Sequence, residues 1–205
     1  MSLLLSLSKF RDAIQENNKL VSSVFSTDAD SNYVHEQNIR ELITEAGFLK
    51  VFISWECFLE QSFLKYLTGK KSIANNTVNS CLKRIDMSRA SDIIMGTNKY
   101  TDWSNPEIII RLSKLYFGEP NPFGDNLNPI KSDLFDLRTI RNAAAHLSTT
   151  TSKSLDSLAS RVLQVSVSNV NVSDFVLTLI PGTSDTVIDH YFNLLDITAE
   201  NIANV

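Results

Sequence analysis

The sequence predicts an all-α fold, a bundle of about six to eight helices with at most a minor β element. Three observations lead there: long proline-free stretches with apolar residues at helical spacing, two helix-start signals of the Asn-Pro type, and only one short segment with strand-like alternation. At 205 residues the chain suits one sizeable core and is short for two, so residues 1–205 are read as a single domain.

The opening run Leu3-Leu4-Leu5-Ser6-Leu7 starts an amphipathic helix that continues through Phe10, Ile14 and Leu20. The run is too short for a membrane span, and no basic residue precedes it, so neither a membrane anchor nor secretion is expected. After a polar break from Ser26 to Asn32, a long helix is expected from about Tyr33 to Leu67, with Gly47 as a point where it could kink. From Phe48 onward its residues are apolar on nearly every side, which a helix sustains only when neighbours cover it all round. This helix should be the centre of the core, with Trp55 and Phe58 inside it. Gly69-Lys70-Lys71 supplies a glycine stop with cations near the negative helix end. It is no phosphate loop, because Leu64 stands where the Walker pattern needs its first glycine.

Short helices are expected over Thr77–Ile85, near Ser91–Met95, and after Asn105-Pro106, where an N-cap precedes proline at the first helical position. Residues 118–128 are the most turn-rich stretch and read as a surface loop. Asn128-Pro129 repeats the start signal and opens a helix through Leu134, Leu137, Ile140 and Ala144 to about His146 or Leu147. The polar stretch Ser148–Ser154 then breaks the pattern. Amphipathic helices fit Leu155–Leu163 and Thr186 to about Ile202, with Val165–Val172 between them alternating as a short extended ribbon would.

Composition narrows the function. Hydrophobic residues at 43% and charged residues at 20% describe a folded globular chain. A net charge of −4 argues against a broad basic surface coating nucleic acid, so any RNA contact must be local. Cys57 and Cys81 lack partners at metal-ligand spacing. Cys57, inside an apolar helical run, reads as a buried free thiol, and a reducing, cytoplasmic setting is expected. His35 and His190 have no companions at ligand spacing and read as surface residues; neither a metal nor a cofactor is expected.

The concentrated chemical signal lies on the helix after Pro129. Arg138, Asn142 and His146 recur every fourth residue and share a face, with Arg141 one step around. The three alanines before His146 leave that surface free of bulk. Cutting RNA without a metal requires a base for the ribose 2′-OH proton, a cation for the phosphorane and an acid for the leaving 5′-oxygen. His146 suits the proton transfer, since an imidazole titrates near neutrality, and the fork of Arg141 suits two phosphate oxygens. Asn142 would orient the imidazole or hold substrate, and a second copy of the chain would supply the missing acid.

The run Leu137-Arg138-Thr139-Ile140-Arg141-Asn142-Ala143-Ala144-Ala145-His146 resembles the signature of HEPN domains: arginine, a polar residue, then histidine after four to six intervening positions. Ser54-Trp55-Glu56-Cys57-Phe58-Leu59-Glu60 resembles the family's upstream aromatic and acidic segment, and the likeness covers roughly residues 35–147. The resemblance implies an all-α bundle, a homodimer that brings two motifs together, and metal-independent endoribonuclease activity leaving 2′,3′-cyclic phosphate ends. It also implies a toxin–antitoxin or phage-defence effector with an antitoxin protein as partner. Many members have glycine after the histidine, where this chain has Leu147.

Simpler readings stand beside these. His146 could be a helix-terminal histidine bonded to a carbonyl, and Arg138 could pair with Asp133 instead of touching substrate. Glu56 and Glu60 are one turn apart; one could pair with Arg141 or orient the site, or both could be ordinary surface acids. Lys65, Lys70 and Lys71 could be a solvated helix end or a phosphate-steering patch. The alternative to a ribonuclease is a non-catalytic dimeric module of the same fold that binds a partner protein or nucleotide.

Overall fold

The structure, a computed structural model, describes residues 2–82, 85–146 and 148–205. Among the described residues there are nine helices: α1 (Leu3–Val24), α2 (Gln37–Leu67), α3 (Met87–Met95), α4 (Pro106–Phe117), α5 (Pro122–Leu127), α6 (Lys131–Ala145), α7 (Thr149–Val162), α8 (Val172–Leu177) and α9 (Val187–Asn204). The chain is thus all-α. Its extended pairing among the described residues amounts to two isolated bridges, Thr27 with Tyr33 and Leu179 with Thr186. No helix among these residues is long and apolar enough to cross a membrane.

The chain divides into two compact units, one formed by Met1–Arg11, Ser54–Phe135 and Leu195–Val205, the other by Asp12–Ile53 and Asp136–Leu194. In the first, the all-round apolar half of α2 is the core, as its sequence requires. Trp55, Phe58, Phe63 and Leu67 are each no more than 2% exposed. Phe10 of α1 packs on Trp55 at 5.6 Å, and Phe63 gathers Trp103, Phe117 and Phe123 at 5.5, 4.8 and 5.0 Å between ring centroids. The Tyr66 hydroxyl donates to the Ile202 carbonyl at 2.7 Å, tying α2 to the end of α9.

In the second unit, Phe48 stacks on Phe192 at 6.0 Å. The Arg40 guanidinium lies 4.0 Å from the centre of the Tyr33 ring. Asp136 of α6 accepts from Arg161 of α7 and from the Tyr191 hydroxyl of α9, at 2.5 and 3.1 Å, so one carboxylate holds three helices in register. Asp156 accepts from the backbone N–H groups of Asn169 and Val170, closing the turn after α7.

Several sequence expectations need correction. The long helix starts at Gln37, because Asp28 accepts from the backbone of Asp30 and Asn32 and holds a turn, while Tyr33 joins the bridge to Thr27. Residues 77–82 are not helical: the Cys81 N–H donates instead to the Tyr116 carbonyl. The remainder of the expected Thr77–Ile85 helix includes Lys83 and Arg84, which lie outside the described residues.

The turn-rich stretch 118–128 is no surface loop, since it holds α5 with Phe123 and Leu127 fully buried. Asn121 caps that helix by accepting from the Phe123 and Gly124 N–H groups. Asn128 ends α5, so the next helix starts at Lys131 and not at Pro129. The break at the polar stretch is present, since α6 ends at Ala145, but the stretch itself is largely helical: Ser148 and Thr151 form a capping box, and Thr149 onward is the first turn of α7. The extended ribbon is absent from 165–172, where turns lead into α8. Cys57 is exposed, not buried, and both cysteines are free thiols. Lys65 is not solvated: it is 2% exposed, with Nζ donating to the Ser2 carbonyl at 3.1 Å and to the Ser6 hydroxyl.

Candidate functional site

Helix α6 places the candidate residues. Leu134, Leu137, Ile140 and Ala143 are buried along it and fix its rotation, which leaves Arg138, Arg141 and Asn142 half-buried on its flanks. The Arg141 guanidinium donates through Nη1 to Asn142 Oδ1 at 3.1 Å. That bond commits the amide oxygen as an acceptor, which leaves the Asn142 NH₂ and the other guanidinium N–H groups as donors. Arg141 has no carboxylate partner among the described residues. A half-buried cation beside an amide donor suits an anionic group with oxygens to share.

His146 follows the last residue of α6 and is exposed. Its backbone N–H still donates to the Asn142 carbonyl at 3.0 Å, so the helical bonding pattern reaches the histidine although the helix ends at Ala145. Its carbonyl accepts from the Thr151 hydroxyl at 2.7 Å and from the Ser148 N–H at 3.1 Å. The histidine is therefore held at its backbone between the end of α6 and the cap of α7, while its ring makes no hydrogen bond or ion pair among the described residues. Leu147, the departure from the HEPN pattern, lies outside the described residues.

The structure brings Arg141, Asn142 and His146 together over one turn of backbone, with Arg138 one turn earlier on α6. Arg138 is engaged in the folded chain. Glu56 and Glu60 are half-buried on the part of α2 that belongs to the first unit; Glu56 is also engaged, and Glu60 lines a cavity there. His35 is half-buried, and His190 is exposed with its ring against Tyr191. Among the described residues no group of three or more His, Cys, Asp or Glu side chains could hold a metal ion.

Sequence reasoning missed Ser148 and Thr151, which position the histidine. A Ser followed three residues later by Thr, ahead of Leu155 and Leu158 at helical spacing, carried that signal. It also missed Asp136, whose bonds to Arg161 and Tyr191 hold the helix that bears the site. Nothing in the sequence marks that carboxylate, because its partners are 25 and 55 residues away.

Comparison with protein-family models, with curated proteins and with solved structures gives no match to this chain.

Proposed function

We propose that this chain is a metal-independent endoribonuclease of the HEPN type, acting as a homodimer in a toxin–antitoxin or phage-defence role with an antitoxin protein as its partner. The observation that carries the reading is the Arg141–Asn142 pair on the last turn of α6, with the exposed imidazole of His146, unengaged among the described residues, one residue past the helix end.

In the reaction, the ribose 2′-oxygen bonds to the adjacent phosphorus as its proton passes to a base, and the bond from phosphorus to the 5′-oxygen breaks as that oxygen takes a proton from an acid. The products are a 2′,3′-cyclic phosphate and a 5′-hydroxyl end. Arg141 carries the charge that develops on the phosphorane oxygens, and Asn142 holds the same phosphate through its NH₂. His146 serves as base or acid, and the copy of His146 in a second protomer takes the other role. An overall charge of −4 fits a short, local contact with RNA better than a long one.

The test is cleavage of single-stranded RNA by purified protein in chelator, comparing wild type with His146→Ala and Arg141→Ala, each verified as folded. Cutting that leaves 2′,3′-cyclic phosphate ends and is lost in both variants supports the reading. Intact RNA with wild type across varied substrates makes a non-catalytic module that binds a protein or nucleotide the better reading.

A further inference from the structure

Helices α1 and α2 line a half-open cavity of about 410 Å³ in the first unit, a size in the range of small-molecule sites. Phe10 and Phe58 form its apolar wall, Ser6 and Lys9 line it from α1, and Glu60 lines it from α2. Behind Ser6 lies Lys65, buried at 2% exposure and without a carboxylate partner among the described residues. Its ammonium donates to the Ser2 carbonyl and to the Ser6 hydroxyl. A buried cation normally has a counter-charge, because desolvating it without one is unfavourable. Here none is supplied among the described residues.

We propose that this cavity binds an amphipathic monocarboxylate, with the carboxylate on the Ser6 hydroxyl and the Lys9 ammonium and the apolar body against Phe10 and Phe58. The chemistry of Ser6 is the first support. Its oxygen accepts from Lys65, which leaves its own O–H to donate and makes it a stronger donor through the charge behind it. The second is the pairing of cations: burial, and then the charge of Lys9, pull the Lys65 pKa down, so the two ammonium groups are close enough to repel. An anion bound in the cavity on Ser6 and Lys9 relieves both effects.

The third support is polarity. Glu60 lines the cavity together with the Cys57 thiol, whose pKa is pushed up by burial, then by Glu60, then by Glu56, so acidic charge is present as well. A second carboxylate on the ligand would meet that charge within the same cavity, which restricts the class to monocarboxylates. The inference does not rest on the ribonuclease reading.

The test uses the whole chain and four probes: octanoate, 1-octanol, octanedioate and inorganic phosphate. Octanoate is expected to bind saturably by calorimetry, with each of the other three at least about tenfold weaker. It should also slow modification of Cys57 by a thiol reagent while leaving Cys81, which does not line the cavity, at its original rate. Ser6→Ala is expected to weaken octanoate about tenfold and Lys9→Gln severalfold. Lys9 is exposed, so the second variant keeps the test open if the first does not fold. Equal binding of 1-octanol, equal binding of octanedioate, stabilisation without protection of Cys57, or no saturable binding of octanoate each overturns the proposal.

Discussion

Gly47 lies within α2, where glycine costs roughly 1 kcal/mol of helix stability relative to alanine. Propensity alone predicts that Gly47→Ala stabilises the protein. The tertiary structure predicts the opposite, because a Cβ at that position would stand 2.2 Å from Asn17 Oδ1 and 3.3 Å from Asn17 Cγ. Comfortable carbon contacts need about 3.5–4.0 Å, so the amide must move, and Asn17 is only 1% exposed. Overpacking of this kind costs roughly 1–3 kcal/mol, which outweighs the propensity gain and leaves a net loss of about 1 kcal/mol. Asn17 Oδ1 is itself buried without a hydrogen-bond partner among the described residues, a state worth roughly 1–3 kcal/mol of penalty. Asn17→Ala removes both that penalty and the obstacle, at the expense of some packing. The double variant Gly47→Ala, Asn17→Ala should therefore exceed wild type by about 1 kcal/mol, with a favourable coupling energy of roughly 1–3 kcal/mol. Urea unfolding of the four proteins at neutral pH measures the cycle. A single Gly47→Ala variant as stable as wild type, with additive effects in the double, would refute the reasoning.

Two further predictions follow from the second unit. Thr151→Val removes the hydroxyl that donates to the His146 carbonyl at 2.7 Å and completes the α7 capping box, so stability should fall by about 0.5–1 kcal/mol and Thr151→Ser should restore it. If the chain cuts RNA, Thr151→Val should lower kcat severalfold with KM nearly unchanged; a change confined to KM would instead place Thr151 on the substrate. Glu45 is held above the ordinary glutamate value of 4.5 by burial first and by Glu41 second, so its ionised form is less favourable in the folded protein than in the unfolded chain. Wild type therefore loses stability as pH rises from about that value through the raised one, and Glu45→Gln should be more stable at pH 7. The advantage should disappear on acidification below the ordinary carboxylate range, as thermal unfolding across pH would report. An advantage that persists unchanged there would assign it to something other than the charge.

What the residues determined alone is whatever depends on neighbours in the chain. Helical spacing of apolar residues marked α1, α2, α4 and α9, and the Asn105-Pro106 start and the Gly69 stop were local signals that the structure reproduces. The shared face of Arg138 and Asn142 on α6 was legible for the same reason, since four-residue spacing places side chains on one side of a helix, whereas Arg141 stands one step around and His146 lies just past the helix end. Tertiary structure decided what depends on distant partners. Residues 118–128 read as loop because glycine, proline and asparagine favour turns, yet burial of Phe123 against Phe63 and Phe117 makes α5 part of the core. The Ser148–Ser154 stretch became helix because its hydroxyls satisfy the orphan N–H groups of α7, and that cap holds the backbone of His146. Lys65 looked like a solvated helix end and is instead buried behind Ser6, a placement set by the packing of α1 on α2 some 59 residues away in sequence. Periodicity reveals which face of a helix is apolar, whereas which polar groups that face encloses depends on the surface that covers it.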